Sequence, residues 1–395
     1  MRTVEEHQHV VAGLISARPA VAVPLADALG LALAEDVVAP LSLPGFDNSA
    51  MDGYAVLAAD VATATADNPV KLPVAEDIPA GRTDLLTLAP GTAHRIMTGA
   101  MLPAGATAVV QVEATDGATD VVSIYSAVPE GRSIRRAGED VTAGMTVLSA
   151  GEVLSPAALG LAAALGLAEL KVIPRQRVLV LSTGTELVAP GTPLQPGQIY
   201  ESNAVMLAAA LREAGADVTT APATSDDVAL FRETLAGHAQ NVDLIVTTGG
   251  VSAGAYEVVK DALSGDVEFV KVAMQPGMPQ GAGTVGGTPI VTLPGNPVSA
   301  LVSFEVFIRP PLRAAMGLPS QRPRRPATLT EKLTSPAGKR QFRRGVLGTD
   351  EQVSSYGPPA SHHLRWLATA NCLLDIGEDV VELAAGSPVP VWDLS

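Results

Sequence analysis

The chain has 395 residues, 47% hydrophobic and 17% charged, a balance that excludes disorder and accommodates two to four domains of roughly 100–200 residues each. Its formal net charge of −15 argues against a general nucleic-acid binder. A single cysteine, Cys372, excludes a disulfide framework and a thiolate metal cluster.

With no basic-plus-apolar leader or twin-arginine signal, a cytoplasmic address is expected. The uncharged stretch 272–304 holds too much Gly and Pro for a membrane helix, so the protein is not membrane-embedded. Val4 to Ala17 have helical spacing that Pro19 ends. Residues 44–139 read as a small β-rich unit, with alternating segments at Thr107 to Val112 and Asp120 to Tyr125 between turn signals. Asp52-Gly53 by itself reads as a hairpin turn. Pro156 to Ala168 predicts an Ala- and Leu-rich helix, and Lys171 to Pro174 a linker.

Residues 175–318 carry the clearest pattern. Arg177 to Leu181 (RVLVL) is a buried-strand run that stops at Ser182-Thr183-Gly184. A helix over Ala204 to Ala214 follows, capped by Ser202 or Asn203 and stopped by Gly215. A second helix begins after Ser225, where Asp226 and Asp227 suit the positive helix start. Asp243 to Thr248 is the next strand. Pro289 to Leu293 is another and runs into Pro294-Gly295-Asn296-Pro297, where Asn296 caps a helix to Arg309 with Pro297 in its first turn. Strands alternating with helices predict a parallel, doubly wound sheet. After the Pro- and Arg-rich 319–326, short strands suggest a small barrel. Between Arg309 and Arg344 stand ten Lys/Arg against one acid, Glu331. Composition leaves two readings of this island open, a focus for an anionic ligand or a solvated linker.

Ligands of doubly wound sheets bind beyond the carboxyl ends of the strands. Three such ends carry polar, Gly-rich loops: 182–186, 247–252 and 293–297. Glycine lets backbone approach a ligand, and a following helix start offers free N–H groups to an anion. Three such loops on successive units point to a phosphate-bearing ligand. Gly281 to Gly286 matches GxGxxG but precedes a strand, the wrong context for a dinucleotide site. Gly250-Val-Ser252-Ala-Gly254 matches a nucleophile elbow in the right strand–turn–helix context. Asp266 and His362 follow in the order a hydrolase needs, although Gly-rich turns produce the same pattern. The adjacent His362 and His363 would point apart on a strand, which argues against a metal pair.

Taken together, the strings resemble a family. Phe46-Asp-Asn-Ser-Ala-Met-Asp-Gly-Tyr-Ala55 closely resembles the signature of molybdopterin molybdenumtransferases, the MoeA and gephyrin E-domain family. So do Ile96-Met-Thr-Gly-Ala100 with Pro103, Gly138-Glu-Asp140, Ser182-Thr-Gly with Glu186-Leu187, and Gly197-Gln-Ile-Tyr200. The Asp226-Asp227 pair, Gly249-Gly-Val-Ser252, Leu293-Pro-Gly-Asn-Pro-Val-Ser-Ala300, Arg344, Ser361-His362 and Asn371 match as well. The matches run in order from about residue 2 to the C-terminus.

The resemblance implies an elongated homodimer of four-domain subunits. These would be 1–43 with 140–172, an inserted β-rich 44–139, an α/β molybdopterin-binding 173–318, and a β-barrel 319–395. In the family, the active site lies between the α/β domain of one subunit and the inserted domain of the other. The implied reaction inserts molybdate into adenylylated molybdopterin with release of AMP. Such a pyrophosphate-like linkage calls for Mg²⁺ to offset its charge. Asp52, Thr98, Asp140, Glu186, Asp226, Asp227 and Glu257 occupy the family's polar site positions, with Glu186, Asp226 and Asp227 expected to organise the metal. Ser182, Thr183 and Gly184, Gly249, Gly250 and Ser252, and Pro294 to Pro297 would hold phosphate and pterin. Lys271, Arg344 and Ser361 would face the oxyanions.

Departures from the family pattern are informative. Thr185 stands where Asp is common, and Glu257 replaces the usual Asp. Gln275-Pro-Gly-Met278-Pro279 stands where the family typically has Lys-Pro-Gly-Lys-Pro at the molybdate site. Losing both lysines removes two positive charges, worth roughly 1–2 kcal/mol each if partly shielded. Gephyrin also supplies an alternative of another class, a dimeric scaffold that binds a peptide of a cell-division or membrane protein.

Overall fold

In the structure, a computed structural model describing residues 1–222, 227–250 and 258–394, the RVLVL run forms the strand Arg177–Ser182. It lies second in a six-stranded sheet. The order is Asp217–Thr220, Arg177–Ser182, Leu244–Thr248, Thr288–Leu293, Pro279–Val285, Val267–Lys271. The first four strands are parallel, as expected. Pro279–Val285 is antiparallel to both of its neighbours, which the alternation of strands and helices did not reveal.

Alternate residues of each central strand feed opposite faces. Val178, Val180, Leu244 and Val246 pack in one apolar cluster with Leu207 and Leu211 of the helix Asn203–Glu213. Leu179, Leu181 and Ile245 pack in another with Phe231 and Leu235 of the helix Val228–Ala239. Burial on both faces explains the continuous hydrophobic runs of these strands and makes the sheet doubly wound. The GxGxxG string lies in a hairpin: Gly281 and Gly283 sit in the strand Pro279–Val285, and Gly286 and Gly287 turn the chain at positive φ. A Cβ at Gly281 would fall 2.2 Å from Thr292 Oγ1. These glycines serve close strand packing.

The chain divides into two compact units, Met1–Ala22 with Gly30–Ala34 and Lys171–Ser395, and Val23–Leu29 with Glu35–Leu170. The first contains the α/β sheet and a closed five-stranded barrel. Around the barrel, Arg340–Leu347 pairs with Gln352–Ser355, which pairs with Arg324–Leu329. Pro388–Asp393 and Cys372–Ile376 then return the ring to Arg340–Leu347. The N-terminal helix is shorter than its spacing suggests. It runs Val4–Leu14 with a capping box between Thr3 and Glu6, because Ile15 turns extended and is buried. Lys171 to Ile173 belong to the strand Glu169–Ile173, with Val172 and Ile173 paired to Leu33 and Ala32.

The second unit holds a five-stranded sheet in the order Ala108–Gln111, Gly53–Val56, Ala93–Ile96, Val70–Ile78, Val121–Ile124. Its core gathers Tyr54, Val56, Leu72, Val110 and Ile124. Asp52-Gly53 is no hairpin turn, since Gly53 opens a strand. A Cβ there would fall 2.0 Å from Val110 O, so the pairing itself demands glycine.

Candidate functional site

The described parts of the three strand-end loops converge on one cleft of about 960 Å³ beyond the carboxyl ends of the parallel strands. Ser182, Thr183 and Glu186 line one part; Gly249, Gly250 and Pro294 to Pro297 line another. Gln275, Met278 and Ser361 are found there too. The loops fit closely. A Cβ at Gly249 would stand 2.7 Å from Thr183 O, and one at Gly184 would stand 2.6 Å from Glu186 Oε2. The Glu186 carboxylate thus folds over a glycine that has no side chain to displace it. The barrel closes one wall, where Val298 N donates to Ser361 O at 3.0 Å.

The floor is polar and buried. Ser182 Oγ, Thr183 Oγ1 and Asn203 Oδ1 have no hydrogen-bond partner among the described residues. Buried polar atoms are normally paired, so a floor of this kind suits a ligand rich in donors and acceptors. Asn203 also binds the loops together: its Nδ2 donates to Thr248 Oγ1 at 3.0 Å and to Gly295 O at 2.7 Å. Thr248 Oγ1 in turn donates to Pro294 O at 3.0 Å. Neither Ser202 nor Asn203 caps the helix with its side chain; Glu201 Oε1 accepts from Ala204 N at 2.7 Å. Asn203 was legible only as a cap, because its partners lie far along the chain.

Other predicted residues stand elsewhere. Asp227 caps the helix Val228–Ala239, its Oδ1 accepting from Ala229 N at 2.8 Å and Leu230 N at 3.1 Å. It does not line the cleft. Lys271 is exposed at the end of its strand and is also absent from the lining. Arg344 is buried, and its guanidinium donates to His363 O at 2.8 Å and to Pro358 O, clamping the loop that carries Ser361. Burial, then the neighbouring Arg343, lowers its pKa from the ordinary guanidinium value.

Asp140 is exposed, with its N–H donated to Leu43 O at 3.1 Å. Asp52 and Thr98 are brought together in the second unit, the carboxylate accepting from Thr98 N and Oγ1, both at 2.7 Å. The backbone bond first, then the hydroxyl bond, holds the Asp52 pKa below the usual carboxylate range. Asp226, Ser252 and Glu257 lie outside the described residues. Two residues that sequence reasoning passed over, Tyr200 as a site residue and Lys339, line the cleft. His362 lines it too; its ring stacks edge-on against His363 at 4.4 Å, so the two rings do not point apart.

A doubly wound sheet with a polar cleft at its strand ends, next to a closed barrel, is the architecture of an α/β protein with a small-molecule site. Comparison narrows the class. The model of the MoeA N-terminal region (domain I and II) matches residues 2–166, a probable molybdopterin binding domain matches 179–314, and the MoeA C-terminal region (domain IV) matches 326–394. The chain is 68% identical to molybdopterin molybdenumtransferase 2 of Mycobacterium tuberculosis, over the whole of both chains. It is 39% identical to molybdopterin molybdenumtransferase 1 of that organism, over 99% of this chain and 98% of the relative. The solved molybdopterin biosynthesis MoeA protein from Pyrococcus horikosii superposes with a TM-score of 0.84 at 31% identity, covering 100% of this chain and 99% of its own.

The chain belongs to the molybdopterin molybdenumtransferase (MoeA) family and is an enzyme of molybdenum cofactor biosynthesis. Nothing in these likenesses favours the scaffold alternative.

Proposed function

We propose that this cleft binds adenylylated molybdopterin, that molybdate enters at the dithiolene end, and that AMP is released as molybdenum is inserted. The observation that supports this most is the convergence of Glu186, the Gly249-Gly250 loop, the Pro294 to Pro297 loop and Ser361 on one polar cleft. The two glycines let backbone N–H groups come close to a phosphate. Ser182, Thr183 and Asn203 offer buried hydroxyl and amide groups to the heteroatoms of the pterin. The loop clamped by Arg344 holds Ser361 at the barrel wall.

Mg²⁺ takes one or two carboxylates together with phosphate oxygens and water. The cleft fits that habit: Glu186 is there, and the described residues contain no cluster of three or more acidic, His or Cys groups that would form an all-protein cage. Glu186 would hold the ion with Asp226, and Asp227 would act through its helix cap. When bound, the ion offsets the charge of the phosphate linkage. The reading includes a homodimeric, cytoplasmic enzyme; among the described residues no helix is long and apolar enough to cross a membrane.

The test is AMP release from adenylylated molybdopterin by Glu186→Gln across a Mg²⁺ titration. The rate should fall by about a hundredfold, the scale of losing one charge-positioning group. A wild-type rate at every Mg²⁺ concentration would remove Glu186 from the proposal.

A further inference from the structure

The substrate proposed above carries several negative charges, yet the cleft is poorly furnished with positive ones. Its wall over 272–304 is uncharged, and Glu186 and Glu201 both line the cleft. Among the described lining residues, Lys339 is the one lysine or arginine. It is placed there by strand register. The strand Met274–Gln275 runs parallel to Arg340–Gln341, with Met274 opposite Arg340 and Gln275 opposite Gln341. Arg340 N donates to Ala273 O at 2.9 Å. Lys339 therefore leaves the barrel beside the segment that holds Gln275 and Met278.

Its basic neighbours are committed elsewhere. Arg340 makes a fork to Asp375 at 2.7 and 2.6 Å and reaches Glu5 at 2.5 Å. Arg343 Nε donates to Ser355 Oγ at 2.6 Å, and Arg344 donates to the carbonyls of His363 and Pro358 from beside Gln275 and Pro276, outside the cleft lining. Lys339 is half-buried and has no ion-pair or hydrogen-bond partner among the described residues. An ammonium on a flexible stem, unpaired beside a neutral wall, is suited to meet an oxyanion as a point charge.

We propose that Lys339 is the binding residue for the oxyanion end of the substrate set, supplying from the barrel the charge that Gln275 and Met278 do not carry. This rests on the functional reading above. Molybdate and the phosphate groups of the pterin share the tetrahedral oxyanion chemistry, so the experiment separates them. Calorimetric titration of molybdate, and separately of adenylylated molybdopterin without molybdate, is run on wild type, Lys339→Met, Lys339→Arg and Lys339→Met with Gln275→Lys.

The Met variant should bind one of the two ligands about tenfold more weakly, the scale of one charge-assisted contact. The Arg variant should retain most of the affinity, and moving the charge to position 275 should restore it. The ligand that responds identifies the source of the oxyanion. If wild type binds both ligands and Lys339→Met binds each as tightly as wild type, the assignment of Lys339 is overturned and the functional reading stands. If wild type binds neither, the functional reading fails and this inference fails with it.

Discussion

Asn203 offers the most direct structural test of how the cleft is held open. Replacing it with Ala removes the Nδ2 donor that joins Thr248 Oγ1 at 3.0 Å to Gly295 O at 2.7 Å. Thr248 is buried beneath Asn203 at the cleft floor, so its hydroxyl depends on this donor more than Gly295 does, whose exposed carbonyl can partly rehydrate. A buried polar group left without its partner costs about 1–3 kcal/mol and a typical hydrogen bond about 1 kcal/mol. Ala recovers about half a kcal/mol of helix propensity at the first position of the helix. The net loss should be about 2 kcal/mol.

Asn203→Asp should cost more, because a carboxylate would face the Gly295 carbonyl with no proton to donate. Urea denaturation followed by tryptophan fluorescence reads this out, since Trp392 is buried in the same apolar cluster as Leu207 of the helix that begins at Asn203. Stability within about 0.5 kcal/mol of wild type in both variants would refute the reasoning, because that is the range of surface substitutions away from any structural feature. Both acceptors would then have to be served by other donors.

Two further outcomes follow from buried groups. His7 is buried edge-on against Phe307, and burial first, then the Arg2 charge, push its pKa down to about 4. The unfolded chain therefore takes up a proton near pH 6.5 that the folded chain refuses. Stability should be complete above that pH and fall by about 3 kcal/mol as pH drops toward 4. Thermal melts of His7→Leu should show a flatter decline over that window; an unchanged slope would place the titration elsewhere. Arg322 makes bonds of 3.1 and 3.0 Å to Glu305, with both side chains nearly fully buried. Glu305→Ala should cost about 3–5 kcal/mol, and pairing Glu305→Met with Arg322→Met should recover part of it, since the buried Arg309, 3.8 Å from Glu305, still loses its carboxylate. A double variant as unstable as the single one would contradict this account.

The α/β half of the fold was legible where two-sided burial forces continuous apolar strands, as in Arg177–Ser182 and Leu244–Thr248. The antiparallel pair Val267–Lys271 and Pro279–Val285 was not, because Gly281 and Gly283 leave no apolar run to read. The three strand-end loops could be read as parts of one site because they occupy equivalent places in successive units. Lys339 could not, since only the register between Met274–Gln275 and Arg340–Gln341 brings it to the cleft. Arg344 shows the converse. An arginine near the end of the chain reads only as a free positive charge, whereas in the fold it is buried and two of its N–H donors hold the carbonyls of His363 and Pro358.

The central claim, that the cleft joins molybdate to a pterin while cleaving its adenylate, is tested most directly by one measurement. Purified protein is mixed with adenylylated molybdopterin and Mg²⁺, with and without molybdate, and released AMP is followed by chromatography. The account predicts AMP release that depends on molybdate and turns over more than one substrate per chain. Intact adenylylated molybdopterin after prolonged incubation with molybdate, from protein shown to bind it, would contradict the claim.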